Sequence, residues 1–425
     1  MKKLLLLGTS NATKEIIDYA RSSGIYTIVT DDKSPDISYA KKWADEYWMI
    51  NTTETEKLAE KCIIEGVNGV FCGLSEFNIE MMIKLTDKLG LPCYLSEKSW
   101  HYSKDKHDFK QKCNEYNVPV ARDYHISTDY KKEELDSIEY PVVVKPIDQN
   151  GNRGISYCYN ELELIDACKY ARSVSKSDKL IVEKLLTGKE WYSYYAIANG
   201  EIRLIALNGM YAQPGEEKNL YSLTTTVSDN VERFVQEINP QIESLLKGLE
   251  CKEGIAWVQE MLDDDNNFYV IEMGYRLPGD MTFIQYEKMM SFDTIKWLVD
   301  YALGKKHSVD DLPVSQVRAF KKCGCSYNIW VSKEGILKSI EGIDIITSNP
   351  AITYHSGTVE GDKMRMHGHV GTFAFVTDNI DDMCNIINFI NTNIKVIMED
   401  GSDAMIRYTN YDYIKKVYKE GLEGR

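Results

Sequence analysis

A chain of 425 residues, 43% hydrophobic and 27% charged, has the composition of a globular protein, and its length predicts roughly two to four packed units. Its net charge of −15 argues against a general nucleic-acid binder, which needs clustered Lys and Arg, yet is compatible with a local basic pocket for a nucleotide. No apolar run approaches the ~18 residues of a membrane span, and ten scattered cysteines without a CxxC pair read as reduced core residues of a cytoplasmic protein.

In chain order, Met1-Lys2-Lys3 and four leucines resemble the start of a signal peptide. The apolar run stops at Gly8, however, and Thr9-Ser10-Asn11 offers no cleavage site, so residues 4–7 read as a buried strand. Helical spacing over 12–23 and 55–65 alternates with strands at 26–29, 48–50 and 69–72, the pattern of a parallel sheet with helices on both faces. The turn Gly8-Thr9-Ser10 supplies only one of the three glycines of a dinucleotide fingerprint and reads as architectural, which disfavours an NAD-dependent oxidoreductase. From about residue 105 the pattern becomes α+β: a helix at 109–116, strands at 142–145, 180–183, 191–198 and 203–208, and a helix at 162–174. A third unit, beginning near 311, has strands at 336–340 and 372–376 and helices at 381–391 and 411–419.

Three stretches carry chemistry. In the first, Lys145 ends an all-Val strand, where burial is costly unless the charge meets an anion. Pro146 ends the strand, and a loop at 148–154 with Gly151, Arg153 and Gly154 offers free backbone amides to phosphates. In the second, the strand ending at Glu183-Lys184 runs through Leu185-Leu186 to Glu190; its backbone can offer C=O and N–H groups to an adenine edge, and Glu190 can accept from ribose hydroxyls. In the third, two strands flank the polar turn 263–267, a hairpin signal that places Gln259 and Glu272 near one another with Arg276 just beyond. A carboxylate and an amide oxygen there suit Mg²⁺, which takes one or two protein ligands plus phosphate oxygens. Each stretch also has a plainer reading: an edge lysine, a solvated strand end and a surface cross-strand pair.

Taken together and in this order, the three stretches resemble the ATP-grasp superfamily, in particular the branch containing biotin carboxylase, carbamoyl phosphate synthase and the L-amino-acid ligases. The resemblance implies a parallel α/β pre-ATP-grasp domain at 1–104, an ATP-grasp domain at 105–308 with a mobile lid near 118–184, and a C-terminal α+β subdomain at 309–425. By the same resemblance, Lys106 and Lys145 hold nucleotide phosphates under the loop that carries Gly151, Arg153 and Gly154. The backbones of Lys184 and Leu186, beside Glu183, read adenine, Glu190 reads ribose, and Gln259 and Glu272 hold Mg²⁺ or Mn²⁺. Arg276 meets the transferred phosphate or a substrate carboxylate. Many members read Glu-x-Asn at the second metal position; here the sequence is Glu272-Met273-Gly274, and glycine cannot ligate.

The implied activity is an ADP-forming ligase that activates a carboxylate as an acyl phosphate for attack by an amine, with small-molecule substrates, no nucleic acid or membrane partner, and a possible homodimer. Alternatives are a bicarbonate-using carboxylating or carbamoyl-forming enzyme and a catalytically silent ATP-binding regulator. The Tyr- and Thr-rich segment 208–227 is a candidate pocket lining. His367 and His369, and Cys323 and Cys325, read as parts of turns entering strands rather than as a zinc site.

Overall fold

The computed structural model describes residues 1–147, 154–175, 179–216, 220–315, 317 and 322–423. The N-terminal sheet has strands β1 (Lys3–Leu7), β2 (Tyr26–Asp31), β3 (Glu46–Met49) and β4 (Gly69–Phe71), all parallel, in the order β3-β2-β1-β4. Leu4 to Leu7 are all buried, as expected of a strand covered on both faces. The covering helices are α1 (Thr13–Ser22), α2 (Thr55–Glu65) and α3 (Glu76–Leu89). The sequence pattern missed α3, although Ser75 caps it by accepting from the Asn78 N–H and Gly90 ends it in the left-handed conformation. Asn78 also fills the space above the Gly8 turn, donating to Leu7 O at 3.0 Å, and Lys41 neutralises Asp31 at 2.7 Å.

Helices α4 (Glu97–Lys104) and α5 (Lys106–Glu115) lead into a four-stranded sheet, β5-β8-β6-β7, made of β5 (Asp123–Tyr124), β6 (Val142–Pro146), β7 (Ser156–Cys158) and β8 (Leu180–Lys184). Helix α6 (Lys132–Asp136) precedes β6, and α7 (Glu161–Val174) packs Leu164, Ala167, Cys168 and Ala171 against this sheet to form a small separate core.

The largest sheet runs β13-β12-β9-β10-β11-β14-β18-β16, with β20 paired to β14. Its first half comprises β9 (Gly188–Ala198), β10 (Glu201–Ala212), β11 (Tyr221–Thr225), β12 (Gly254–Asp263) and β13 (Phe268–Gly274), packed with α8 (Val231–Glu237), α9 (Asn239–Gly248), α10 (Phe283–Met290) and α11 (Thr294–Ala302). The second half adds β14 (Cys323–Val331), β16 (Thr353–Ser356), β18 (His369–Thr377) and β20 (Met405–Ile406). These four pack with β15 (Gly335–Glu341), α12 (Ile343–Thr347), β17 (Lys363–Met364), α13 (Ile380–Asn393), β19 (Lys395–Met398) and α14 (Tyr411–Glu423) around a second large core. One face of a single sheet therefore runs without interruption from the hairpin to the C-terminal strands. The α/β plus α+β organisation expected from the sequence is the one observed.

Candidate functional site

The site begins at α5. Asp105 caps this helix, accepting from the N–H groups of His107 and Asp108 at 3.0 Å each, which sets Lys106 in the first turn. Lys110 lies one turn later on the same face. Lys106 Nζ meets Glu272 Oε2 of β13 at 2.8 Å, while Lys110 Nζ meets Glu183 Oε2 of β8 at 2.8 Å and also Asp123 of β5. One helix thus ties the hairpin to the four-stranded sheet through two lysines.

Lys145 has no acidic neighbour in sequence, but strand pairing supplies one. With Val143 opposite Glu183 and Lys145 opposite Ile181, Lys145 and Glu183 are diagonal neighbours on one face, and they form an ion pair. Burial alone would push the Glu183 carboxyl up; Lys145 and Lys110 more than reverse this and hold it at about 2.

Gln259 and Glu272 are direct cross-strand partners because of a bulge. Gln259 pairs with Glu272, but Glu260 pairs with Val270, so β13 carries one extra residue, Ile271. In a regular, unbulged register Gln259 would face Ile271 instead. Glu272 lies deep in the molecule yet stays partly exposed, the combination expected of a concave site. Burial raises its carboxyl, and Lys106, Lys145 and Arg276 together pull it below its usual range. Three cations thus converge on this carboxylate. The neighbouring Glu260 points to the other face, where Ser193 N–H donates to it at 3.0 Å, and complete burial raises its carboxyl well above the usual range.

Arg276 Nη2 reaches Glu76 Oε1 of α3 at 2.6 Å, and its guanidinium lies 5.3 Å from the ring centre of Trp257. Trp257 is the cross-strand partner of Gly274, and a Cβ at 274 would overlap its indole. The glycine therefore has a packing reason: Trp257 fills the space a ligating side chain would need. Glu190 accepts from Gln259 Nε2 at 2.8 Å and from the Tyr221 hydroxyl, placing it beside the Gln259–Glu272 pair.

Gly154, at φ +83°, packs against Pro146 and Val174, leaving no room for a side chain. Lys184 gives its N–H to Arg122 O at 2.9 Å and turns its ammonium to the carbonyls of Glu139 and Tyr140 at 3.1 and 3.2 Å. Leu186 is half-buried just past β8. Gly151 and Arg153 lie outside the described residues. His367 sits at φ +58° in the turn before β18, and His369 is that strand's first residue, so the two imidazoles do not share a strand face. Burial holds the His369 imidazole down at about 4, and Cys323 and Cys325 are buried in β14.

The sequence reading did not find Glu76, Lys110, Tyr192, Trp257 or Asp280. Helical spacing from Lys106 could have found Lys110, but Glu76 had no local signal, since only folding carries α3 to Arg276.

A model of the carbamoyl-phosphate synthase L chain, ATP binding domain, matches residues 105–308. That stretch, just under half of the chain, resembles the ATP-binding domain of ATP-grasp proteins. Among curated ATP-grasp relatives, the carbamoyl phosphate synthase large chain of Clostridium acetobutylicum is 25% identical over 297 residues, covering 67% of this chain and 26% of that protein. The D-alanine–D-alanine ligase of Thermosipho africanus is 26% identical over 215 residues, covering 47% of this chain and 56% of the relative. The matches thus span between about a quarter and just over half of the length of these relatives.

Solved ATP-grasp structures share the fold. The L-amino acid ligase of Bacillus licheniformis superposes with a TM-score of 0.75 at 16% identity, over 94% of this chain and 99% of that one. The biotin carboxylase domain dimer of the Hydrogenobacter thermophilus 2-oxoglutarate carboxylase, in complex with MgADP, ADP and bicarbonate, gives 0.71 at 16% identity, over 100% and 95%. No helix among the described residues is long and apolar enough to cross a membrane.

Proposed function

We propose that this protein is an ADP-forming ligase that activates a carboxylate as an acyl phosphate and passes the acyl group to an amine. The observation that carries the reading is the convergence of Lys106, Lys145 and Arg276 on Glu272, opposite Gln259. Three cations around one carboxylate and an amide suit a polyanion accompanied by a divalent metal.

A carboxylate attacking the γ-phosphate brings anions together, so catalysis consists chiefly of cancelling charge and fixing geometry. In this reading Lys106 and Lys145 hold the phosphates, and Arg276 steadies the transferred phosphoryl group or the acid. With the N–H groups of Lys184 and Leu185 committed to Arg122 and Pro141, an adenine edge meets the Lys184 carbonyl and the backbone of Leu186. Glu190 serves the ribose. Gln259 and Glu272 supply the protein oxygens for Mg²⁺ or Mn²⁺, which adds charge cancellation at the phosphates when bound. The carboxylate oxygen bonds to phosphorus as ADP leaves; the amine nitrogen then bonds to the acyl carbon as phosphate and a proton leave.

Similarity to D-alanine–D-alanine ligase supports the amine acceptor, and similarity to carbamoyl phosphate synthase keeps bicarbonate as the rival acid. The decisive experiment is a screen of amino acids, other amines and bicarbonate for ATP-dependent phosphate release, with chromatography of the nucleotide. ADP formed only with a carboxylate–amine pair is expected. ADP formed with bicarbonate alone, AMP as the main product, or no turnover with any pair would overturn the reading.

A further inference from the structure

Three of the acids facing the cleft come with cations. Glu183 has Lys145 and Lys110, Glu272 has Lys106, and Glu76 has Arg276. Asp280, four residues beyond Arg276, is held by hydroxyls instead. The Tyr192 hydroxyl lies 3.2 Å from both of its oxygens, and Thr282 Oγ1 donates at 3.0 Å and the Thr282 N–H at 3.3 Å. Among the described residues no lysine or arginine comes within ion-pair distance of it.

The Thr282 N–H explains an acceptor at position 280 ahead of α10, but not an acid, since asparagine caps a turn equally well. The Tyr192 hydroxyl from β9 goes beyond any capping need. Burial raises the Asp280 carboxyl above its usual range, because no positive charge offsets the lost hydration. Like Glu272, it lies deep in the molecule yet remains partly exposed.

Its surroundings place it in the cleft. Tyr192 stands directly across from Gln259, on the face that carries the Gln259–Glu272 pair. The Tyr192 ring meets the Trp257 ring edge-on at 6.2 Å, and Trp257 carries the Arg276 guanidinium. A cation and an anion therefore stand on either side of one aromatic pair without touching each other. A ligand that carries both an anionic and a cationic group would complement the two.

We infer that Asp280 is a specificity residue that receives the ammonium group of an α-amino-acid substrate, whose carboxylate lies toward Arg276. This rests on the ligase reading for the identity of the site, but it is testable without turnover. The probes are the twenty proteinogenic L-amino acids and, for alanine, leucine and phenylalanine, the matching 2-hydroxy acids. Calorimetry uses the full chain holding Mg²⁺ and a non-hydrolysable ATP analogue, and ADP release is followed in parallel with ATP.

The wild type is expected to bind at least one amino acid and to prefer it over the hydroxy acid. Asp280→Asn keeps an acceptor for Tyr192 and Thr282, so it should leave nucleotide affinity and thermal stability nearly unchanged. It should weaken the amino acid by about 30-fold or more, the scale of a lost charged hydrogen bond, and erase the preference. Equal weakening of amino acid and hydroxy acid, unchanged amino-acid affinity in the variant, or no amino acid bound by the wild type would each overturn the inference. Asp280-dependent binding without ADP release would uphold it while overturning the ligase reading. Amino-acid-dependent ADP release indifferent to Asp280→Asn would do the reverse.

Discussion

Replacing Glu183 by glutamine removes a buried carboxylate from between two lysines and keeps its shape. In the folded protein this carboxyl is held at about 2, against an ordinary value of 4.5. At ~1.4 kcal/mol per pH unit, that difference corresponds to about 3 kcal/mol of stability at neutral pH. The sign follows from linkage: a depressed folded pKa contributes fully above 4.5 and loses its contribution as pH falls toward 2. By pH 3 less than half should remain. Because the chain has several cores, a global unfolding curve would blur the effect. Amide hydrogen exchange of peptides covering 142–146 and 180–184 reads the four-stranded sheet directly. With correction for intrinsic rates, Glu183→Gln should exchange a few hundred-fold faster than wild type at pH 7, and the gap should narrow several-fold or more by pH 3. A variant as protected as wild type at pH 7, or a gap that does not depend on pH, would refute the assignment of this carboxylate as the keystone between Lys145 and Lys110.

Lys145→Ala should lower ATP turnover by at least about a hundred-fold with the fold intact, since Lys110 still accompanies Glu183; normal ADP release from the folded variant would contradict its phosphate role. Gly274→Asn should cost about 1–3 kcal/mol by colliding with Trp257 and should not tighten metal binding, as thermal melts and metal titrations would show. Glu272→Gln should impair Mg²⁺·ATP turnover far more than it changes melting temperature, and full activity would count against a metal role. Calorimetry should find no micromolar Mg²⁺ binding to nucleotide-free protein and mutual enhancement of metal and ATP-analogue binding; tight metal binding alone would break this expectation.

Elements with strong periodicity were legible from sequence: the leucines of β1, α2 at 55–65 and the hairpin around 263–267 all lie where spacing and turn residues put them. Local pattern also marked Lys145, Gln259 and Glu272 as residues that a simple strand explains poorly. What it could not reach was pairing. The partner of Lys145 is set by the register of β6 on β8, that of Arg276 by the docking of α3, and the face of Glu272 by a one-residue bulge. Asp280 was invisible for a different reason. In sequence it looks like an ordinary turn aspartate, and only the strands beneath it show that hydroxyls, not a cation, surround it.

The ion pairs of the cleft bear on how it could receive a charged ligand. Lys106, Lys145 and Arg276 brought together without acids would repel one another by an amount on the order of a few kcal/mol per close pair, and the cleft would resist forming. Glu272, Glu183 and Glu76 cancel that repulsion, but not in the same way. Glu183 touches two lysines, so Lys145 can turn to a phosphate while Lys110 keeps the carboxylate neutralised. Glu272 has one lysine in direct contact, with Lys145 and Arg276 acting from farther away. If Lys106 turns to a phosphate, Glu272 loses its close partner in a site that disfavours a bare charge, and a divalent cation is the natural replacement. The phosphates that draw Lys106 away are also the ligands such a cation needs. Nucleotide and metal would then each complete what the other disturbs, and the carboxylate tied to Lys106 in the free protein would be the one to hold the metal once the lysine had turned away.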